Sequence, residues 1–197
     1  MMIFILDTKG DNQMSDRNDV TLLHVQREIK PKVESVLPFY LDGEMLKLAL
    51  DFVAYLRAEK MNPGWAGVHN AWRATSKGKP ICYIRLGKEW IRDTEKKWVI
   101  NTKNLKWLVI PYLDHMNDYA DKINEDWKKI IWDDLRNCVN CAYGCSSRAA
   151  KTVTVLGKDF SGLCPGFINK VSFVNPDEAA IKIIKRLLEL EREERKG

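Results

Sequence analysis

The sequence predicts an α+β fold: a helix, an antiparallel β-meander, a long helix, then a four-cysteine hairpin and a C-terminal helix. Three observations predict it. Apolar residues recur at helical spacing over residues 42–62, 112–136 and 175–190. Between about residues 70 and 102, short β-branched and aromatic runs alternate with turn-forming residues. Four of the five cysteines then fall between Cys138 and Cys164, in polar, glycine-bearing loops unlike the surroundings of core cysteine.

At 197 residues, with 45% hydrophobic and 30% charged residues, the chain has enough apolar content for a packed core. Its net charge of +5 admits an anionic partner, but many basic residues stand beside acidic ones, so nucleic-acid binding is not demanded. No apolar run approaches the roughly 20 residues that span a bilayer. Met1-Met2-Ile3-Phe4-Ile5-Leu6 is too short for a signal peptide and lacks its positive flank. A cytoplasmic location, with no membrane partner, is the expectation.

The chain divides into three expected parts. Residues 1–19 are a poorly ordered or mis-assigned N-terminal extension, in which Met14 is an alternative start and a short edge strand the rival reading. Residues 20–136 form an α+β domain with a tryptophan-rich meander, and residues 137–197 a four-cysteine metal module with a closing helix.

In chain order, residues 20–30 suit a helix ended by Pro31, with a short turn up to Pro38. A firmer helix starts at Asp42 as N-cap, with Glu44 in its first turn. It carries Met45, Leu48, Ala49, Phe52, Val53 and Leu56 on one face, and Asn62-Pro63-Gly64 stops it. The meander follows as four strands: Ala71–Thr75, Ile81–Leu86, Glu89–Asp93 and Trp98–Thr102. Cys82 belongs to its second strand as a buried residue. Asn104–Ile110 reads as a strand or a helix start. From Tyr112 to Arg136, Leu113, Met116, Ala120, Ile123, Trp127, Ile130, Ile131 and Leu135 predict one long helix. The final helix is expected to open with Asn175 as N-cap, Pro176 at its first position and acids after it.

The cysteines read C-x2-C-x3-C-x18-C: Cys138, Cys141, Cys145 and Cys164. Zinc takes four soft ligands in a tetrahedron, and two cysteines separated by two residues can wrap one ion in a tight turn. Lys151–Leu156 alternates and is β-branched, and Gly157-Lys158-Asp159 turns the chain, so a hairpin would return Cys164 to the first three sulfurs. The arrangement is zinc-ribbon-like, with a three-plus-one split of ligands. Disulfides are disfavoured in a reducing compartment. A [4Fe–4S] cluster remains the alternative cofactor, although the spacing matches neither common ferredoxin pattern. A site closed by four thiolates leaves no position for water or substrate, so the expected zinc is structural.

Cys138-x-x-Cys141, Gly157-Lys158-Asp159-Phe160-x-x-x-Cys164 and Phe173-x-Asn175-Pro176 together resemble the end of an uncharacterised family of small bacterial proteins with a C-terminal cysteine-rich module. The resemblance covers about the last third of the chain. It implies a metal module and a closing helix, and no assigned activity. The chain departs from it at Cys145-Ser146-Ser147-Arg148, where the family carries more glycine.

All seven tryptophans lie between Trp65 and Trp132. Trp65, Trp72, Trp90, Trp98 and Trp107, with His69 in the loop before the meander, are the candidate ligand pocket, since indole offers area and a π-face to a flat or cationic ligand. The competing reading is an aromatic core. His115 is placed on the long helix about 35 Å from the cysteines at ~1.5 Å per residue, which would exclude it from the metal. Arg136, Arg148, Lys151, Lys158 and Lys170 could face phosphate, interrupted by Asp133, Asp134 and Asp159. No P-loop, dinucleotide fingerprint, HExxH motif or nucleophile elbow nominates an enzyme. The expected function is that of a metal-binding protein with a structural zinc and a non-enzymatic ligand-binding or regulatory role. Its partner would be a small molecule or a protein. The alternatives are a nucleic-acid-associated zinc-ribbon protein, with nucleic acid admissible but not favoured, and an iron–sulfur or thiol-redox protein.

Overall fold

The computed structural model describes residues 24–87, 89–92, 98–101, 105–133, 135, 151–163 and 169–196. They form a mixed α+β fold, with antiparallel pairing between all partnered strands. A short helix α1 (residues 24–29) and α2 (Val33–Val36) lead through a 3-10 turn to α3 (Gly43–Ala58). Helix α3 starts at the expected N-cap, Asp42, and buries Ala49, Phe52, Val53 and Leu56. The Asn62-Pro63-Gly64 stop then opens a strand that the sequence reading missed, β1 (Pro63–Trp65).

Strands β2 (Ala71–Ser76) and β3 (Lys79–Leu86) form the expected hairpin. Its two turn residues, Lys77 and Gly78, have φ of +49° and +78°, the left-handed pair whose twist matches flanking strands. The four-stranded meander needs correction. β4 (Glu89–Arg92) and β5 (Trp98–Asn101) exist, but they pair only with each other among the described strands. The neighbour of β3 is β6 (Trp107–Pro111), and β9 (Phe173–Val174) pairs beyond it. The sheet order is β1-β2-β3-β6-β9. Trp107-Leu108-Val109 is apolar on both faces and suits an inner strand. The segment 88–97 is thick with charge and does not.

The long helix over 112–136 also needs correction. Residues 114–119 are turns, Ala120–Lys122 is a 3-10 turn, and only Glu125–Asp133 (α4) is α-helical. Asn124 starts α4, its Oδ1 accepting from the Trp127 amide at 2.9 Å. Asp, His and Asn at 114–118 compete with the helix ladder through their own side chains, and the backbone amides of Asp114 and His115 donate to Glu191 instead.

Strands β7 (Lys151–Val155) and β8 (Lys158–Leu163) make the second expected hairpin. Leu156 and Gly157 form its turn with φ of +50° and +83°. The last helix, α5 (Glu178–Glu194), is capped by Asp177, which accepts from the Ala180 amide at 2.8 Å. Asn175, expected in that role, is used differently. It has φ +45°, and its Oδ1 accepts from the amides of Lys106 and Trp107. It thereby ties the start of α5 to β6.

Helices α3 and α5 cover one face of the sheet. Phe52 meets Trp107 edge-on at 6.5 Å, and Ile181, Ile184, Leu187 and Leu188 complete the core with Trp72, Ile84 and Val109. The two helices run in the same direction, since Tyr55 meets Lys185 and Glu59 meets Arg192. Within the stretch 137–197, β9 joins the sheet beside β6 and α5 packs into the core of residues 24–133.

Candidate functional site

Cys138, Cys141, Cys145 and Cys164 lie outside the described residues. Among the described residues, no group of three or more His, Cys, Asp or Glu side chains is arranged to hold a metal. Hairpin β7–β8 pairs Lys151 with Leu163. The chain therefore arrives from Cys145 and departs to Cys164 at the same, open end of the hairpin.

Two side chains dock this hairpin. Asn117 spans it, its Nδ2 donating to the Thr154 carbonyl and its Oδ1 accepting from the Leu156 amide, each at 2.8 Å. Trp132 donates from Nε1 to the Val155 carbonyl at 2.9 Å, and its ring lies 6.2 Å from that of Phe160. The ammonium of Lys158 sits over both rings, at 4.8 and 5.2 Å. Lys158, offered above as a phosphate contact, is thus engaged with aromatic faces.

The segment that carries Asn117 is itself anchored by Glu191, which is 0% exposed. Its carboxylate accepts from the Asp114 and His115 amides at 3.2 and 3.1 Å, from the Tyr119 hydroxyl at 3.2 Å and from Arg195 Nε at 2.8 Å. Burial, with the Glu191 charge second, pushes the Tyr119 phenol far above its ordinary value. Arg195 continues the network to the Pro80 carbonyl and to Asp114, at 2.9 and 3.0 Å. Asp114 in turn accepts from Asn169, and the Leu113 amide donates to the Asn169 carbonyl. One short segment, residues 113–119, therefore holds the chain on both sides of Cys164: the hairpin before it and Asn169 after it. His115 is part of this turn and not of a helix. Its Nδ1 lies 3.1 Å from Asp118, so the helical distance that set it apart from the cysteines does not apply.

The candidate pocket residues separate as follows. Trp65, Trp72 and Trp107 are on the helix-facing side of the sheet: Trp65 pairs with Trp72, which pairs with Ile84. Trp72 and Trp107 are fully buried, and Trp72 donates to the Pro31 carbonyl at 2.7 Å. The indole nitrogens of Trp65 and Trp107 are buried and have no hydrogen-bond partner among the described residues. Trp98 and Trp90 lie in β5 and β4, opposite Arg92 and Ile100. His69 lies half-buried in the turn before β2, next to Asn70, whose side chain meets Gln26 and Tyr40. A groove of about 640 Å³ opens elsewhere, between α3 and α5. Its walls include Met45, Leu48, Asp51, Asp177, Ile181 and Lys185. Cys82 is fully buried, and burial pushes its thiol far above the ordinary range, so it is inert.

The opposite, outer face of the sheet carried no signal in the sequence reading. It carries Arg73, Tyr83, Arg85, Ile110 and Tyr112, and beside Arg85 on the same face Ala71 and Leu108 are fully buried. Tyr83 and Tyr112 lie 5.7 Å apart, and the Lys170 ammonium lies 4.9 Å from the Tyr112 ring.

Comparison with known proteins finds no matching family model, no matching curated protein and no matching solved structure. The likeness to small bacterial cysteine-rich proteins rests on the motif residues alone. No helix among the described residues is long and apolar enough to cross a membrane.

Proposed function

We propose that this chain is a cytoplasmic, non-enzymatic binding protein whose C-terminal third is held by a structural zinc on Cys138, Cys141, Cys145 and Cys164. The observation that carries the reading is the pairing of Lys151 with Leu163 at the open end of hairpin β7–β8. That pairing puts Lys151, six residues after Cys145, beside Leu163, the residue before Cys164, which supports a three-plus-one thiolate site. Four thiolates close the coordination sphere, so the ion contributes folding energy to loops that carry little apolar area. Asn117, Trp132 and Asn169 supply the outer support that such a centre needs to hold its ligands at fixed geometry.

The test is metal content with an absorption spectrum, on full-length protein purified without oxygen and without an affinity metal. About one zinc per chain and no visible band is the expected result. Iron with a band near roughly 400 nm would replace the reading with an iron–sulfur protein. Metal-free protein with four freely titrating thiols would end it.

A further inference from the structure

Ribbon β4–β5 is an offshoot of the main sheet. It springs from β3 and β6, whose ladder ends at the Leu86–Trp107 pair, and its own ladder starts with Glu89 opposite Asn101. At its base the Gly87 amide donates to the Lys106 carbonyl at 2.8 Å. Gly87 has φ +72°, and a Cβ there would lie 2.6 Å from the Tyr40 ring, so this neck needs glycine. Beyond it, β4 and β5 pair with each other and with no other described strand.

A two-stranded ribbon is marginal by itself in water, and this one has apolar positions on both faces. Alternation along the pair places Trp90, Trp98 and Ile100 with Arg92 on one face, and Ile91 and Val99 with Glu89 and Asn101 on the other. The other strand edges are blunted by the devices that keep strands from pairing with foreign chains. β1 opens with Pro63, β9 is two residues long, and β8 begins with Lys158-Asp159. In β7 the Thr154 and Val155 carbonyls already accept from Asn117 and Trp132. β5 has none of these devices: Trp98-Val99-Ile100 is uncharged, proline-free, aromatic and β-branched.

We infer that β5 is a dimer seam, which pairs antiparallel with β5 of a second copy of this chain to make a four-stranded sheet, β4-β5-β5-β4. A two-fold seam sets one residue opposite itself, because hydrogen-bonded and non-hydrogen-bonded pairs alternate along an antiparallel ladder. Centred on Val99, the seam sets Trp98 opposite Ile100 of the second copy on each side, and Lys97 opposite Asn101. No like charges meet. The row across the four strands at the centre becomes Ile91-Val99-Val99-Ile91, flanked by Arg92-Trp98-Ile100-Trp90. The β4 edge offers no such register. Centred on Ile91 it opposes Glu89 to Asp93, and centred on Trp90 it opposes Arg92 to Lys88, like charges in both cases. Charge therefore selects β5 as the seam and leaves β4 outermost, where Glu89 and Arg92 blunt the edge. The inference does not depend on the zinc reading, because none of its residues lies in the cysteine stretches.

The experiment is sedimentation velocity of the full-length protein over a range of concentrations, with cysteine crosslinking to fix the register. A particle of twice the 22.8 kDa chain mass should form. Val99→Lys should raise its dissociation constant roughly 100-fold, because it sets two ammonium groups face to face across the seam. Val99→Cys should give a disulfide-linked dimer on mild oxidation, since self-opposed residues lie within disulfide reach. The unaltered protein, with its five native cysteines, is the baseline. Ile91→Cys, about 14 Å from its twin at the usual strand spacing, should not exceed that baseline. Circular dichroism checks the fold of each variant, and the crosslinking decides the matter where Val99→Lys does not fold. A monomer at every concentration, a dimer unmoved by Val99→Lys, or crosslinking through Ile91→Cys in place of Val99→Cys would overturn the proposal.

Discussion

Glu191, in the last turn of α5, and Arg195, its C-cap residue, are joined by a 2.8 Å hydrogen bond inside the protein. A buried carboxylate is tolerable only when its lone pairs are satisfied and its charge is balanced. Here two amides, a phenol and a guanidinium do both. The pair organises the turn at 113–119, and through it the hairpin that flanks the cysteines.

Glu191→Ala would leave Arg195 Nε and three other donors without their acceptor. Loss of one partner of a buried, hydrogen-bonded ion pair costs about 3–5 kcal/mol. Urea denaturation should show that loss as a lower midpoint, and a change below about 1 kcal/mol would mean that water replaces the carboxylate.

Asn117 contributes through two neutral hydrogen bonds, worth about 1 kcal/mol each. Asn117→Ala should cost about 2 kcal/mol. Asn117→Asp should be nearly as costly, because it keeps an acceptor for the Leu156 amide but sets a carboxylate against the Thr154 carbonyl. Hydrogen exchange at Leu156 should accelerate in both variants.

Glu34 and Arg57 form a bidentate pair, and the Arg57 hydrogen bond is the main cause of the lowered Glu34 pKa. A carboxylate whose folded pKa lies below its unfolded value adds stability above the unfolded pKa and loses it as pH falls through the folded one. The ordinary value is 4.5, so the contribution is present at neutral pH and disappears below that point. The pair is partly exposed, which limits it to about 0.5–1 kcal/mol. Glu34→Gln should lower stability by that amount at pH 7 and leave it unchanged in strong acid. Denaturation midpoints across this range provide the check.

Cys82 should stay unmodified by an aromatic disulfide reagent in the native chain, because it is buried and its thiol is held protonated. At most four of the five thiols should react before denaturation, and fewer if a metal is bound. Rapid reaction at Cys82 would contradict the packing of β3.

Much of this fold is legible along the chain. The alternation of Ile81 to Leu86 and of Lys151 to Val155 marks hairpins whose turns are short and local, and Asp42 starts α3 as its spacing suggests. The long helix misread one signal. Asn124-Glu125-Asp126 is a helix start, yet Leu113, Met116 and Ala120 continue the apolar spacing upstream of it. Only Glu191, more than seventy residues away, explains why residues 114–119 turn. The partner of β3 is likewise non-local, and no window of sequence reveals β6 across the intervening β4–β5 ribbon. As for the candidate site, the tryptophans announce themselves by composition, but composition does not tell which side of a sheet they occupy. Alternation does: Trp72 faces the helices and Arg73 faces away. Glu191 had a signal too, falling on the stripe Ile181, Ile184, Leu188, Glu191 and Arg195, hidden within a tail that reads as solvated charge.

The shared direction of α3 and α5 has a consequence for how this protein comes into being. Tyr55 and Glu189 touch across 134 positions of chain, and Arg195 meets the carbonyl of Pro80 across 115. A ribosome releases α3 and the first strands long before the helix that covers them exists. Until α5 emerges, the core that contains Trp72 and Trp107 lacks the apolar face of that helix, and its other residues stay exposed to non-native contacts. Contacts this distant also make for slow folding, and the core closes only once α5 is available to it.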